Sequence, residues 1–517
     1  MLELREYQRA ARDAVLSEWE NGRRKTLLCL PTGAGKTIVF SSIAEHCVNK
    51  GERVLIIAHR EELLEQARDK LKAACGLDSV FERGSEHSLG SPFAVTIASV
   101  QTISKPKRLL AFPPDYFGTV IVDEAHHCPA NGYKAVLEHF NGAKVLGVTA
   151  TPDRGDMKNL GELFDSCAYE YPLAAAIRDG YLCNIKAMMI PLDIDISRVS
   201  LSKGDLCEEE LGSALDPMLE QIADRIKEFC SGRKTVIFLP LVSTSVKLAE
   251  MLNKRGLKAV EVDGRSTNRS EILSGFESGK YDIICNSMLL TEGWDCPCTD
   301  CVVVLRPTKI RSLYMQMVGR GTRIFPGKDN LLLLDFLWNT HRHDLCKPAS
   351  LISRDENINK RISAAISGSS SPLDLSDEAE KAERDTVMER ENSLASALAQ
   401  MRKKASKSVD PIQFALSISS EDLVCYIPTF AWEFKAPTES QTAYLKNSGI
   451  ECTAEMNRGM ASLIISKLKN RRELGLSTPK QILLLERYGY THVGEWSKEK
   501  AHETICLLEK NGWCRID

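Results

Sequence analysis

The chain lacks any long uncharged apolar run. Its longest runs, such as Val54–Ala58 and Leu331–Leu334, are far shorter than the roughly 20 residues that a membrane-spanning helix needs. The first residues, Met1–Glu6, also lack a basic segment followed by an apolar one, so they predict no secretory signal. We therefore expect no membrane partner.

A disulfide framework and an excess of one charge are missing as well. The 17 cysteines follow no regular spacing, which predicts reduced thiols in a cytoplasmic protein. The 67 lysines and arginines nearly balance 70 aspartates and glutamates, giving a net charge of −3. This balance excludes a uniformly basic chain, but a local basic groove stays open because net charge describes only the average field.

What is present is a pattern of short β-branched apolar runs separated by helical stretches. The 517 residues, 43% of them hydrophobic, suffice for about three or four domains. Two sets of five runs occur: Thr26–Leu30, Arg53–His59, Ala94–Val100, Thr119–Val122 and Lys144–Thr149, then Thr235–Leu239, Ala259–Val262, Tyr281–Asn286, Cys301–Leu305 and Asn330–Leu334. Continuous runs are typical of parallel strands buried on both faces, so we predict two doubly wound α/β domains.

The change in composition along the chain suggests the domain limits. We expect a first lobe over residues 1–184, a connection over 185–215 and a second lobe over 216–345. Residues 346–430 include a Glu-, Ala- and Lys-rich stretch, which predicts a charged linker or an exposed helix.

The last segment, residues 431–517, contains a weak internal repeat with an offset of 40 residues. Thr438, Gln441, Leu445, Gly449, Glu455, Ala461, Ile465 and Leu468 match Thr478, Gln481, Leu485, Gly489, Glu495, Ala501, Ile505 and Leu508. Each unit has two helical patterns about a glycine. We therefore predict a small tandem helical module, suited to a protein partner.

The segment Leu30–Thr37 (Leu-Pro-Thr-Gly-Ala-Gly-Lys-Thr) lies between a strand and a helical pattern. Its glycines let backbone N–H groups close around phosphate oxygens, and the helix N-terminus favours negative charge. Lys36 would reach the β- and γ-phosphates of ATP, and the Thr37 hydroxyl would hold Mg²⁺. Leu30 replaces the usual first glycine. The alternative is an ordinary loop, which the strand–loop–helix context disfavours.

Two acids, Asp123 and Glu124, come directly after the apolar run Thr119–Val122. Carboxylates at the end of a buried strand are costly without partners. Beside Lys36, Asp123 would orient Mg²⁺ and Glu124 would position the attacking water. The alternative, an acidic helix cap, is weaker once the phosphate loop is counted.

Hydrolysis also needs a cation for the charge that develops on the γ-phosphate. The segment Gln316–Arg323 carries Arg320 and Arg323, which share one face if the segment is helical. An arginine from a second domain would couple hydrolysis to domain closure. Alternatively, both are exposed helix charges, although the glycines beside Arg320 argue against an ordinary helix interior.

In order along the chain, these segments resemble the motifs of superfamily 2 helicases. The matching segments are Leu4–Gln8 (Q motif), Pro31–Thr37 (I), Ile57–Glu61 (Ia), Ser99–Thr102 (Ib), Asp123–His126, which spells DEAH (II), Thr149–Pro152 (III), Val236–Leu239 (IV), Thr291–Asp295 (V) and Gln316–Arg323 (VI). The resemblance covers about residues 1–345 and is greatest to bacterial RadD-like helicases and to the motors of type I and III restriction enzymes. DEAD-box RNA helicases are less similar, since their last motif usually begins with His.

The resemblance implies two tandem RecA-like lobes, with ATP and Mg²⁺ in the cleft between them and nucleic acid crossing both. It places Gln316, Arg320 and Arg323 in the catalytic set with Lys36, Asp123 and Glu124. The other implied roles are nucleotide contacts by Gln8, Thr32, Gly33, Gly35, Gly293 and Asp295, nucleic-acid contacts by Arg60, Gln101, Thr102 and Thr291, and coupling by His126, Thr149 and Thr151.

The sequence therefore predicts an ATP-dependent nucleic-acid helicase or translocase. DNA is favoured, with contacts to the backbone and not to the bases. Two alternatives stay open: an ATPase that moves on duplex without separating the strands, and the motor subunit of a nuclease or defence complex. The resemblance also favours a bacterial or phage-encoded protein.

A cysteine cluster and two tail segments carry weaker hypotheses. Cys296, Cys298 and Cys301 suggest a metal site but lack a clear fourth ligand, so we expect no metal there.

In the tail, Asp422, Glu433 and Lys435 loosely fit a nuclease site, although nothing around them predicts a nuclease sheet. The run Lys467–Arg472 is either a solvated basic face or a nucleic-acid contact.

Overall fold

The computed structural model describes residues 3–150, 160–386 and 409–514, with some positions left out. These are residues 203, 265, 267, 288, 289, 291–293, 295, 341, 342, 354, 419, 425, 427, 429, 431, 454 and 455, and the side chains of 193, 337, 339, 412, 416, 421 and 424. The chain forms two compact units, Met1–Arg384 and Asp385–Asp517.

The first lobe is built on a parallel sheet of seven strands among the described residues. They are β1 (Lys25–Cys29), β2 (Val54–Ala58), β3 (Ser79–Glu82), β4 (Val95–Ser99), β5 (Thr119–Asp123), β6 (Lys144–Thr149) and β7 (Ser166–Glu170). Their order is β3-β4-β2-β5-β6-β1-β7. The five runs predicted in this half are all strands. β2 is buried along its whole length, as expected for a sheet covered on both faces.

Helices join these strands: α1 (Glu6–Glu20), α2 (Lys36–Asn49), α3 (Glu61–Cys75), α4 (Val100–Ile103), α5 (Pro106–Leu109), α6 (Asn131–His139) and α7 (Leu173–Arg178). Helix α2 shows why they pack on the sheet. Val39, Ile43 and Cys47 recur every four residues and are fully buried, so one apolar stripe faces the core.

The second lobe also has a sheet of seven strands in the described part of the chain. They are β8 (Asn184–Asp195), β11 (Thr235–Phe238), β12 (Ala259–Val262), β13 (Ile283–Asn286), β14 (Cys301–Val304), β15 (Asn330–Asn339) and β16 (Leu373–Asp374), while β9 (Leu201–Ser202) and β10 (Asp205–Leu206) form a separate hairpin. The order is β12-β13-β11-β14-β15-β8-β16, and only β16 is antiparallel to its neighbour. All five runs predicted in this half are strands.

The helices of this lobe are α8 (Glu208–Leu215), α9 (Leu219–Cys230), α10 (Val242–Lys254), α11 (Arg269–Glu277) and α12 (Arg311–Gly319), followed by α13 (Glu356–Ser367). The two faces of the sheet belong to two apolar clusters. Leu331 and Leu333 of β15 pack in the cluster that contains α13, whereas Leu332 and Leu334 pack in the cluster that contains α9 and α10. The sheet is therefore buried on both faces.

Strand β8 differs from the connection expected over residues 185–215. It lies inside the second sheet, between β15 and β16. The physical reason is its pattern: Ile185, Ala187 and Met189 alternate on one face, with the polar residue Lys186 between the first two. Ile190 and Leu192 pack in the cluster on the other face, so β8 is buried on both faces; Lys186 and Pro191 interrupt its apolar residues and leave only the short run Ala187–Ile190.

Residues 346–386 are helical in part, as one alternative allowed, but they are packed in the core and not exposed; residues 387–408 of the predicted charged stretch lie outside the described residues. Helix α13 buries Ile358, Ile362 and Ile366, which are spaced four residues apart, in the core of the first unit. Strand β16 then extends the sheet, and residues 375–386 are helical. The charged residues lie on the exposed side of this segment, whereas Ile358, Ile362 and Ile366 cover one face of the second sheet.

The second unit is helical, with α14 (Pro411–Ser417), α15 (Glu421–Val424), α16 (Glu439–Ser448), α17 (Arg458–Glu473), α18 (Pro479–Arg487) and α19 (Lys498–Lys510). Its core includes Val409, Phe414 and Leu423, so the packed module begins before the expected residue 431.

The tandem repeat is visible in the helix caps. Thr438 and Thr478 each accept a hydrogen bond from the backbone of the glutamine three residues later, and that glutamine bonds back to the cap. Asn457 and Ser497, also 40 residues apart, cap the second helix of each unit. The predicted pair of helices about a glycine is present in both units.

None of the helices in the described residues is both long enough and apolar enough to cross a membrane.

Candidate nucleotide and nucleic-acid sites

The loop after β1 ends in α2, whose N-cap is Gly35. Gly33 and Gly35 have φ angles of +90° and +79°, a region that side chains strain. A Cβ on Gly35 would lie 2.6 Å from Gln8 Nε2, and one on Gly33 would lie 3.1 Å from Leu182 Cδ2. Glycine is therefore required at both positions, in a loop that leads into a helix N-terminus, where anions are favoured.

Helix α1 is bonded to this loop through its first turn. The Tyr7 hydroxyl donates to the Ala34 carbonyl at 2.6 Å, and Gln8 Nε2 donates to the same oxygen at 3.2 Å. Gln8 Oε1 accepts from the Arg5 backbone N–H at 3.1 Å. Gln8 is only 6% exposed, so its amide plane is held by bonds at both ends. Sequence reasoning named Gln8 and missed Tyr7.

A buried ion pair joins the phosphate loop to the end of β5. Lys36 Nζ lies 2.8 Å from Glu124 Oε1, and the two side chains are 11% and 8% exposed. Strand β6 lies between β5 and β1 in the sheet, so the acids and Lys36 follow the same edge of the sheet, where the carboxyl ends of parallel strands meet.

The neighbouring acid, Asp123, is buried as well. Burial and the nearby Glu124 charge raise the pKa of Asp123 to about 6. Its Oδ1 accepts from the Glu124 backbone N–H at 3.0 Å. Glu124 itself has a φ of 50°, an uncommon conformation for a residue with a side chain and one that occurs often at functional sites.

The donor set at this edge fits a divalent cation with a nucleotide. When ionised, Asp123 and Glu124 exceed Lys36 by one negative charge in a buried place, which a cation would neutralise. The Thr37 hydroxyl is half-buried in the first turn of α2, beside Lys36. Hard oxygen ligands of this kind suit Mg²⁺.

The end of α12 in the second lobe packs on the phosphate loop. A Cβ on Gly319 would lie 2.5 Å from Thr32 Cβ, and a Cβ on Gly33 would lie 3.3 Å from Arg323 Cγ. The sequence predicts that Arg320 and Arg323 share one face if the segment is helical. Helix α12 ends at Gly319, so that condition is not met. The glycines on either side of Arg320 end the helix and allow this close approach.

Arg320 and Gln316 of this segment are buried. Arg320 is 6% exposed, and its Nη1 donates to the Trp294 carbonyl at 2.6 Å. Gln316 is 2% exposed, and its Nε2 has no hydrogen-bond partner in the described part of the protein. Thr291, Gly293 and Asp295, predicted from the neighbouring motif, lie outside the described residues.

His126 joins the acids to the end of β6. Its Nδ1 lies 3.3 Å from Thr149 Oγ1 and 3.4 Å from Glu124 Oε2. Thr149 is in turn the last residue of β6; Thr151 lies outside the described residues. The geometry thus brings two of the three predicted coupling residues together.

The predicted nucleic-acid residues of the first lobe follow the neighbouring strands β2 and β4. Arg60 is the N-cap of α3, and the exposed Gln101 donates to the His59 carbonyl at 2.7 Å. Thr102 is different: it is 6% exposed, and its hydroxyl accepts from the Gly84 backbone N–H at 3.2 Å. Arg60 and Gln101 therefore lie at the lobe surface, whereas Thr102 is bonded inside it.

Two protein families match this chain. Residues 1–154 match the family described as type III restriction enzyme, res subunit, and residues 218–325 match the helicase conserved C-terminal domain. These ranges hold the phosphate loop, the acid pair and the arginines described above. The chain contains a superfamily 2 helicase motor.

Several relatives of this motor have been named. The putative ATP-dependent helicase IRC3 of Saccharomyces cerevisiae is 30% identical over 378 residues, which are 69% of this chain and 54% of that protein. The type I restriction enzyme EcoAI endonuclease subunit of Escherichia coli is 25% identical over 64% of this chain and 46% of its own. The chain thus spans about half the length of these relatives.

Solved structures share the fold of the helicase motor. A fragment of a putative HsdR subunit of a type I restriction enzyme from Vibrio vulnificus has a TM-score of 0.52 and 24% identity, covering 64% of this chain and 63% of that one. The type ISP restriction-modification enzyme LlaBIII bound to DNA has a TM-score of 0.54 and 15% identity, covering 98% of this chain and 42% of its own.

Sequence reasoning missed the contacts that hold the helicase lobes together. Arg269 of the second lobe pairs with Glu62 of the first, with Nη1 and Oε1 2.6 Å apart. The two residues are 207 positions apart, and nothing in either segment marks a partner.

A second missed network lies within the second lobe of the helicase motor. Thr308 Oγ1 donates to Asp205 Oδ2 at 2.6 Å, and the Lys309 backbone N–H donates to Asp205 Oδ1 at 2.9 Å. Arg306, 5% exposed, donates to Glu208 at 2.8 Å. The β9–β10 hairpin thereby holds the segment that enters α12.

The three cysteines after motif V do not converge. Cys296 Sγ lies 3.2 Å from Cys298 Sγ, but Cys301 Sγ packs 3.6 Å from Cys230, on the other face of the sheet. Among the described residues, no group of three or more His, Cys, Asp or Glu side chains could hold a metal ion.

Three of the tail candidates have partners inside the second unit. Asp422, considered for a nuclease site, pairs with Lys467 at 2.7 Å. Glu433 accepts from the Phe430 backbone N–H at 2.8 Å. Arg471 donates to the Ser477 and Gly494 carbonyls at 3.0 and 2.7 Å.

The basic run Lys467–Arg472 is thus only partly available for contact with nucleic acid. Lys467 is engaged in an ion pair, and Arg471 links α17 to the second repeat. Lys469 and Arg472 are the exposed cations of the run.

Proposed function

We propose that this protein is an ATP-driven nucleic-acid translocase of the helicase type, acting on DNA. The observation that carries the proposal is the junction at the phosphate loop. There the Lys36–Glu124 ion pair of the first lobe meets the Gly319–Arg323 turn of the second lobe. Such a junction assembles a hydrolytic site only when both lobes are in place, which links chemistry to lobe movement.

The nucleotide would be held by the phosphate loop, with Thr32, Gly33 and Gly35 around the phosphates and Lys36 against the β- and γ-phosphate oxygens. Gln8, fixed against Ala34, would contact the adenine. We assign Gly293 and Asp295 to the ribose and phosphate side of the same cleft.

Thr37 and Asp123 would hold Mg²⁺. When bound, the ion neutralises part of the charge on the phosphate oxygens. Burial raises the pKa of Asp123 and the neighbouring Glu124 charge raises it further, so a bound cation would favour the ionised carboxylate.

Glu124 would orient the attacking water and accept its proton. Its carboxylate is shared between Lys36 and the His126 ring. Because His126 also contacts Thr149, a shift of the Glu124 carboxylate can reach the end of β6, two residues before Thr151. We assign this chain of contacts to the coupling between hydrolysis and the nucleic acid.

Arg320 and Arg323, from the other lobe, would stabilise the charge that develops on the γ-phosphate. In the structure, Arg320 Nη1 donates to the Trp294 carbonyl at 2.6 Å. Exchanging that neutral acceptor for a phosphate oxygen would favour bound ATP, because hydrogen bonds between charged groups are stronger. Gln316 Nε2 is a further buried donor available to the nucleotide.

Nucleic acid would contact Arg60, Gln101 and Thr291 through its backbone. Phosphate contacts position a strand without reading its sequence, which suits a motor that moves along any sequence. Thr102 would act indirectly, because its hydroxyl already binds Gly84. The relatives include a DNA 3'-5' translocase of Sulfurisphaera tokodaii, 25% identical over 62% of this chain, which favours DNA.

A second candidate is the motor subunit of a nuclease or defence complex. The type I restriction enzyme subunits among the relatives favour it. In that case the helical second unit would bind the partner protein.

The domain division we propose is a first lobe to residue 183, a second lobe from residue 184 to 384, and the helical second unit. Free thiols at every described cysteine agree with a reducing, cytoplasmic setting.

The deciding experiment is ATPase turnover measured with single-stranded DNA, duplex DNA, forked DNA and RNA at several salt concentrations. We expect strong stimulation by DNA that weakens steeply with salt. Strand separation measured beside triplex displacement distinguishes a helicase from a duplex translocase. Co-purification of a nuclease would favour the motor-subunit candidate. Equal, weak stimulation by every nucleic acid would contradict the proposal.

A further inference from the structure

A polar groove of about 630 Å³ opens on the second lobe, between the segment that enters α12 and helix α13. Lys309 and Arg311 line it from the segment before and at the start of α12. Lys347, from the segment after β15, and Lys360, from α13, line it as well. None of the helicase motifs covers these residues.

The groove is positively charged. These four cations face only two lining carboxylates, Asp344 and Glu356. Lys309, Lys347 and Lys360 form no salt bridge with any described residue, so no carboxylate neutralises them in the structure. Three lysines without an ion pair, gathered in a concave place, attract an anion more strongly than the same charges spread over a surface.

Helix α13 has two faces of different chemistry. Ile358, Ile362 and Ile366 are buried in the core, and the side toward the groove carries Asn359, Lys360 and Ser363. Amide, ammonium and hydroxyl groups can all donate hydrogen bonds to phosphate and sugar oxygens. The groove lining contains no aromatic side chain on which a base could stack.

We propose that this groove binds the sugar–phosphate backbone of a nucleic-acid strand, and this rests on the function proposed above. The positive charge of the groove favours an anionic phosphodiester, and the amide and hydroxyl donors suit the oxygens of a sugar–phosphate backbone. The groove extends over residues 309–367 and is larger than a single phosphate requires. The segment 344–367 thereby becomes part of the track on which the motor moves.

The groove is joined to the nucleotide cleft by one short helix. Arg311 is the first residue of α12, and its Nη2 donates to the Ser353 carbonyl at 3.3 Å. The helix has nine residues, which is about 13 Å, and Arg320 follows its last residue. A nucleic-acid strand that shifts the wall of the groove would therefore also shift α12, whose last residue directly precedes Arg320.

The first test is binding of fluorescein-labelled oligo-dT and oligo-rU by the full chain, followed by anisotropy at several salt concentrations. We expect Lys347→Ala/Lys360→Ala to weaken binding about tenfold and to reduce the salt slope by about 1.4, since each lost phosphate contact contributes about 0.7 for a single strand. Lys227→Ala/Lys254→Ala removes two exposed lysines on the other side of the same sheet and should bind normally. The two oligonucleotides separate a DNA track from an RNA track.

The second test does not depend on a variant that folds. Lysines of the wild-type protein are acylated with and without bound oligonucleotide and quantified by mass spectrometry. We expect protection of Lys309, Lys347 and Lys360, and no protection of Lys227 and Lys254. The oligonucleotide concentration that gives half-maximal ATPase stimulation should also rise about tenfold in the groove variant, in line with its weaker binding.

Unchanged affinity and salt slope in Lys347→Ala/Lys360→Ala, together with unprotected groove lysines in the wild type, would contradict the proposal that the groove binds nucleic acid. If the wild-type ATPase is nevertheless stimulated by nucleic acid, the proposed function stands and only the groove is lost. If no nucleic acid binds or stimulates the wild-type protein, both proposals fail.

Discussion

The two lobes have related sheets but opposite chemistry at the carboxyl ends of their strands. In the first lobe, the buried acids Asp123 and Glu124 follow β5 and exceed the single cation Lys36. In the second lobe, the ends of β14 and α12 carry Lys309, Arg311, Arg320 and Arg323. Under the proposed function, neither lobe holds a complete hydrolytic site, because the proposed base and the proposed charge-stabilising cation belong to different lobes.

The lobes also differ in where their functional groups come from. Those of the first lobe lie in short motifs directly after its strands. The second lobe depends on segments far from any motif: the β9–β10 hairpin holds the entry to α12, and α13 forms a wall of the basic groove. The following changes test this division, from the largest expected effect to the smallest.

Lys36→Ala removes the cation of the acidic lobe. We expect ATP turnover to fall by at least about 10³-fold, because both the phosphate contact and the partner of Glu124 are lost. Steady-state ATPase assays with saturating DNA measure the loss. Lys50→Ala, at the exposed C-terminal end of the same helix, serves as the control and should be near wild type. Retained turnover in Lys36→Ala would remove the phosphate loop from the mechanism.

Arg320→Ala removes the cation that the second lobe supplies. Hydrolysis should fall by about 10³-fold, while binding of a fluorescent ATP analogue changes little, as expected for an arginine that acts in the transition state. Arg320→Lys keeps the charge but loses the forked donor geometry, so it should recover only part of the rate. A normal kcat in Arg320→Ala would exclude Arg320 as the cation that stabilises the transition state.

Glu124→Gln keeps the shape of the water-binding group but removes its basicity. We expect kcat to fall by about 10²-fold, with ATP still bound, because a positioned general base contributes this much. The exposed Glu138→Gln on α6 is the matched control. Rapid-quench measurement of a single turnover distinguishes slow hydrolysis from slow product release. A variant with an unchanged chemical step would exclude Glu124 as the base.

Arg269→Ala breaks the ion pair between the lobes. The pair is partly exposed, so we expect only about a twofold change in kcat, and a smaller one at high salt. Arg255→Ala, which loses ion pairs inside the second lobe, should not alter the salt dependence of turnover. A double-mutant cycle with Glu62→Ala isolates the contact between lobes; zero coupling energy would show that the lobes meet without its help.

Much of the first lobe could be predicted because its signals are local. Each of the ten predicted apolar runs is a strand, since a continuous apolar run allows few other structures. Lys36 and Glu124 were also accessible, because a glycine loop and an acid pair each occupy a strand end. Strand β8 and helix α13 were not predicted. The apolar residues of β8 are interrupted by Lys186 and Pro191, and those of α13 recur only every fourth residue in a polar segment, so neither pattern distinguishes a core element from a linker.

The sequence by itself determined the motor class, the phosphate loop, the acid pair and the presence of arginines in the second half. Only the tertiary structure decided that Gly319 packs on Thr32, that Arg320 and Arg323 leave the helix, and that Tyr7 supports the phosphate loop. It also decided that lysines between residues 309 and 360 share one groove. The physical reason is distance along the chain: local patterns record the strand and helix preferences of neighbouring residues, whereas contacts between distant segments depend on how the sheets pack.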